Sequence, residues 1–183
     1  TPVLQWGEPA NGLRAALEFC PNRQSYAPGE TVDLKLHVQN VGGKPVKLPT
    51  YLWLPELTLA GADAANRPVE IHSTRFSDVK LAARISLQPG QAAVLDAGNL
   101  VLVEQASRAD VFDDVRQRRM FAEPGTYQFQ LSGEFGGKPL ELDRRGNAVG
   151  PAPEDWKGLL TTGPTPLTIA AADEAGPSTD LAP

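Results

Sequence analysis

From Thr31 to Gln39 the chain alternates strictly: Val32, Leu34, Leu36 and Val38 are apolar, with Asp33, Lys35, His37 and Gln39 between them. Side chains of an extended strand point to opposite faces in turn, so this run predicts a strand with one buried and one wet face. The alternation stops at Asn40. "NVGGKP" then supplies a turn, and Val46 with Leu48 predicts the second strand of a hairpin. Upstream, Leu13, Ala15, Leu17 and Phe19 alternate in the same way until Pro21 and Asn22 end the run.

The device recurs along the chain. Pro28-Gly29, Pro89-Gly90 and Pro124-Gly125 each precede an apolar alternation. In such turns Pro fixes one backbone angle and Gly takes the unusual one. After the third, Tyr127, Phe129 and Leu131 alternate with Gln128, Gln130 and Ser132. "EIHSTRF", "ARISL" and "LTIAA" predict further strands. The expectation is an all-β, antiparallel, immunoglobulin-like sandwich of about seven to nine strands. One segment breaks the pattern: residues 104–121 place Val111, Val115 and Met120 at near-helical spacing and predict a short helical insertion. Residues 143–155 are polar and rich in Gly and Pro, which predicts a loop. The domain is expected over 1–171, followed by a flexible tail or linker over 172–183, which lacks apolar periodicity.

Composition narrows the partners more than the fold. The chain has 183 residues, 17 Gly, 17 Pro and a net charge of −5. Many scattered turn-formers suit short strands, and the negative balance disfavours nucleic acid and anionic membrane. A single cysteine, Cys20, excludes an internal disulfide. No apolar window reaches the roughly 18 residues of a membrane helix, so no direct membrane insertion is expected. The chain opens "TPVLQW" without Met, which suits a processed or excised form.

The run from Tyr26 to Leu48, "YAPGETVDLKLHVQNVGGKPVKL", resembles the second-strand hairpin of bacterial immunoglobulin-like domains. It is also similar to a hairpin of the bacterial intracellular proteinase inhibitor family. The wider frame resembles immunoglobulin-like modules of uncharacterised secreted or membrane-tethered bacterial proteins. Its marks are "WGEPANGLRA" from Trp6, "PGTY" from Pro124, and Trp156, Gly158, Leu160 and Thr162 before "PLTI". The resemblance implies the fold and a periplasmic, cell-surface or secreted setting, and brings no activity with it. Tyr127, just after a Pro-Gly pair, resembles the tyrosine corner of Greek-key sandwiches; the alternative is an ordinary cross-strand aromatic.

Catalytic chemistry finds little purchase. His37, His72, Cys20 and Met120 formally make a blue-copper set, yet they are spread too widely for the single late loop such a site uses. Asp110, Asp113 and Asp114 lack the Gly and closing Glu of a calcium loop, and acids in a helix's first turns explain them. No serine sits in a nucleophile elbow. The expectation is therefore no enzyme, no cofactor and no metal. A Cys20–His pair formed in space stays open. Two surfaces could bind. "TYLWLPELTL" is apolar on both faces, so Tyr51 and Trp53 are either covered by the 104–121 segment or form a contact patch. Trp6 and Trp156 are expected in the core or at the sandwich ends, with a carbohydrate platform as the alternative. The function expected is a non-catalytic extracytoplasmic binding, sensor or assembly module of a larger bacterial protein, with an unidentified protein partner. The alternative is a protease inhibitor whose loop offers Arg144 and Arg145.

Overall fold

The computed structural model describes residues 3–49, 57–73, 84–104, 117–135, 141–142, 148–149 and 154–171. Every element among them is a strand, and none is a helix long and apolar enough to cross a membrane. Two sheets face each other across one core, as a β-sandwich.

The first sheet has the order β1-β2-β8-β9-β6: Leu13–Cys20, Thr31–Asn40, Ala92–Val103, Gln117–Phe121 and Ile71–Ser73. β1 and β2 pair antiparallel from Leu13 opposite Asn40 to Cys20 opposite Asp33, so their alternations fall in register. Leu13, Leu17, Val32, Leu34, Leu36 and Val38 are thereby all buried. Each such side chain contributes roughly 1.5–3 kcal/mol of apolar burial. The second sheet is built on β10 (Gly125–Phe135). β4 (Leu57–Ala62) lines one edge of it. β13 (Gly158–Thr161) and β14 (Thr165–Ile169) share the other. Between them the register slips, and Thr162 bridges the gap: its hydroxyl accepts from Leu131 N at 2.9 Å while its own N–H donates to Leu131 O. Phe19 of the first sheet meets Phe129 of the second edge-on, with centroids 5.6 Å apart. That contact sets the middle of the core.

Both open sides of the sandwich are closed. On one, residues 68–73 change sheets, running as β5 (Pro68–Val69) beside β4 and then as β6 beside β9. On the other, the N-terminal segment lies between the sheets, where Gly7 N donates to Ala15 O and Gly163 N to Gln5 O. Farther along, Tyr26 holds β14 through Tyr26 N to Thr168 O and Ala170 N to Tyr26 O. Unpaired strand edges invite other chains to add on. These stretches are taken within the chain.

Several expectations need correction. Val46–Pro49 (β3) does not fold back on β2; it pairs with β7 (Arg84–Leu87). Asn40 explains this: its buried side chain donates to Lys44 O (2.8 Å) and Leu87 O (2.9 Å) and accepts from Gly42 N (2.9 Å). The chain is thereby steered across to β7. The helical insertion is also not seen. Residues 117–121 of that segment are a strand, while 105–116 lie outside the described residues. Arg118 faces the interior there, and a cation on the buried face hides the period of two. Nor is the pairing wholly antiparallel, since β8 and β9 run parallel, Asn99 opposite Gln117. Parallel neighbours need a long connection, and residues 104–116 join them. The described strands number fourteen rather than seven to nine, because several have only two to four residues.

Two of the three Pro-Gly pairs make the same turn. Glu30 N donates to Ala27 O and Gln91 N to Gln88 O, with Gly29 at φ +89° and Gly90 at +82°. The third does not. Gly125 sits at +156° and is already the first residue of β10. The carbonyl of Glu123 is taken instead by the Tyr127 hydroxyl at 2.7 Å.

Candidate binding surface

Tyr51, Trp53, Arg144 and Arg145 lie outside the described residues. Residues 143–147 join β11 (Glu141–Leu142) to β12 (Ala148–Val149), which pair antiparallel. The two remaining tryptophans are placed. Trp156 is buried, donates Nε1–H to Asn11 O (3.0 Å) and meets Phe135 edge-on at 5.9 Å. Trp6 is half-buried beneath the Arg14 guanidinium, 4.5 Å from its ring centre.

The Cys20–His question is answered by Glu18. On the outer face of the first sheet the Glu18 carboxylate meets His37 Nε2 at 2.5 Å. The same carboxylate acts on the Cys20 thiol, two residues along the same face of β1. The acid thus stands between thiol and imidazole. Burial first, then the Glu18 charge, push the Cys20 thiol up. A nucleophilic thiol needs the opposite surroundings. Among the described residues no three His, Cys, Asp or Glu side chains gather into a metal-binding group.

The outer faces of the two sheets differ in chemistry. On the first, charges answer one another: Glu18 with His37, Lys35 with Asp96 at 3.8 Å, and Arg14 with Gln39 and Trp6. On the second, β10 turns Thr126, Gln128, Gln130 and Ser132 outward, because Tyr127, Phe129 and Leu131 are buried between them. β4 adds Thr58, Ala60 and Ala62 beside them. β13 and β14 add Leu159, Thr161, Pro166 and Thr168. Glu134 at one end is the one charged residue these strands place there. Leu159 is 58% exposed. Thr126 and Thr168 join hydroxyls across the strands at 3.1 Å. The result is an exposed sheet face with one charge, Glu134, at its end and apolar residues at its rim.

The sequence reading passed over this face. Its signal was present in the outward positions of β10, which are Thr, Gln, Gln and Ser where those of β2 are Asp, Lys, His and Gln. Arg118 was missed as well. It is 1% exposed, and its guanidinium donates to Ala97 O (2.7 Å) and, across the core, to Leu57 O (3.1 Å). Burial lowers it to about 10.

No protein-family model and no curated protein matches the chain. Among solved structures it is similar to a β-glucosidase from Listeria innocua in complex with gluconolactone, at 13% identity and a TM-score of 0.34. That alignment covers 86% of this chain and 16% of the enzyme, so the chain spans a small part of that protein's length. It is also similar to the CARDB domain of the PF1109 protein from Pyrococcus furiosus in complex with di-metal ions, at 11% identity and a TM-score of 0.30, covering 93% and 98% of the two chains.

Proposed function

We propose that the chain is an immunoglobulin-like, non-catalytic binding or assembly module of a larger extracytoplasmic bacterial protein, and that it engages its partner through the outer face of the second sheet. The observation that carries this reading is the contrast between surfaces. Residues 5–7 and Tyr26 bond the described edges beside them, and Glu18, His37, Lys35 and Asp96 of the first sheet are paired, whereas the Thr58–Gln130–Leu159 face is exposed with Glu134, at its end, as its one charge. Interface centres are depleted of charge, and rims carry it.

The test is a photo-crosslinking residue placed at Gln128 in the full-length protein in its own cells. The reading expects a discrete adduct, competed away by excess unlabelled chain. Equal labelling from Val94, on the opposite face, would sink it. The inhibitor alternative is examined by titrating trypsin-like and subtilisin-like proteases with the chain. Stoichiometric inhibition that disappears in Arg145→Ala would replace the module reading.

A further inference from the structure

We infer that the second sheet's outer face is an isologous contact, so that the partner seated on it is a second copy of this chain; the inference rests on the binding-module reading above. The argument starts from symmetry. Around a twofold axis each residue near the axis meets its own copy. Only self-complementary groups can sit there: an amide offers both donors and an acceptor, a hydroxyl both donates and accepts, and an apolar group asks for neither. The central column of the second sheet, Gln128, Gln130 and Ser132, meets this condition along its length. The first sheet does not: its central strand, β8, turns Asp96 outward, and β2 beside it turns out Asp33, Lys35 and His37, so like charges would be set against one another.

Net charge points the same way. Two chains of −5 repel, and approach through a face whose one acid, Glu134, lies at its end places no carboxylate against a carboxylate at the centre. Glu134 stays at the rim, where water solvates it. Size then sets the strength. Nine residues at roughly 3.4 Å by three strands at roughly 4.8 Å give a footprint of about 440 Å² per copy. A standard stable interface takes about 800 Å² per partner, so the contact belongs to the weak, concentration-dependent class. Such a contact would align copies of the parent protein already held near one another, where effective concentration does the rest.

Sedimentation velocity on the 183-residue chain, from micromolar to millimolar, decides it. The sedimentation coefficient is expected to rise with concentration, and Gln128→Arg to weaken association by about tenfold or more by setting like charges face to face. Thr58→Arg, on the neighbouring strand, does the same and stands in should Gln128→Arg fail a circular-dichroism check of its fold. Val94→Arg on the other sheet leaves association unchanged. A chain that stays monomeric throughout, or association disrupted by Val94→Arg and not by the other two, overturns the inference. A different protein crosslinked from Gln128, together with a monomeric chain, would overturn it while leaving the binding-module reading standing.

Discussion

The Arg118 guanidinium donates to the carbonyl oxygen of Ala97, 2.7 Å away, inside the core. That carbonyl is available because β8 carries a bulge: the register slips between Asp33 and Lys35 of β2, with Gly98 at φ +84° and its N–H held by the Asp96 side chain at 3.0 Å. A bulge leaves one residue unpaired in the ladder and re-aims its backbone. Through its second bond, to Leu57 O, Arg118 joins the first sheet to the second.

Arg118→Ala should therefore destabilise strongly. It strips two buried carbonyls of their donor, at roughly 1–3 kcal/mol each, and leaves a cavity where the stem packed. Arg118→Met also strips both carbonyls but keeps the stem's volume and removes the cost of burying a charge, so its loss should be smaller than that of Arg118→Ala. Urea unfolding of both variants is the check, and equal losses would show that the guanidinium's bonds and not the stem's packing matter.

Two tyrosines do one job. Tyr127 donates its hydroxyl to Glu123 O and Tyr26 to Pro21 O, each at 2.7 Å and each a few residues upstream. Each fastens a turn to the strand that leaves it. Tyr127→Phe or Tyr26→Phe should cost about 1 kcal/mol, and the double variant about the sum, because the pairs share no partner.

The same hydroxyls give the stability a pH dependence. Burial is the leading cause that raises both above their ordinary 10.0, with the Glu123 charge next for Tyr127. In the unfolded chain both ionise first as pH rises through 10, so the unfolded state then holds fewer protons than the native one. Stability contributed by the neutral phenols is full below pH 10 and is lost as pH climbs toward the higher native values. Melting temperature should fall above pH 10, and the fall should flatten in the Tyr26→Phe, Tyr127→Phe double variant.

What the sequence disclosed followed from periodicity, and what it hid came from residues that break a period for a tertiary reason. β1, β2 and β10 were legible because each alternates over eight or more residues with no charge on the inner face. β9 was not, since Arg118 places a cation inward. The β3–β7 pairing was hidden because "NVGGKP" is a sound turn for a hairpin; only the bond from Asn40 to Leu87 O, 47 residues away, redirects the chain. The candidate surface was legible in composition but not in location. Uncharged outward positions mean little until three strands carrying them lie side by side.

Asn40 can be tested directly. It is fully buried, and its side chain makes three bonds to backbone groups of residues 42, 44 and 87. Asn40→Ala should cost about 2–4 kcal/mol, since buried backbone groups lose their partners together. Asn40→Asp should cost no less, because a carboxylate accepts only and cannot serve the two carbonyls. Chemical denaturation measures both, and an Asp variant as stable as the parent would mean the carbonyls find water.

The N-terminal segment supplies the last prediction. A methyl group added at Gly163 would lie 2.7 Å from Gln5 O and 2.9 Å from Trp6 O, and one at Gly7 only 1.9 Å from Thr161 O. These neighbours are backbone and cannot turn aside. Gly163→Ala should push residues 5–7 off the sandwich, breaking Gly163 N to Gln5 O and, with it, the seal over Ala15 and Ala16. The expected loss is about 1–3 kcal/mol, in the range of overpacked cores. Limited proteolysis gives the specific readout: cleavage within residues 3–10 should accelerate well before the rest of the domain is cut. If Gly163→Ala is digested at the parent's rate with unchanged stability, the segment does not need this close approach to close the sandwich.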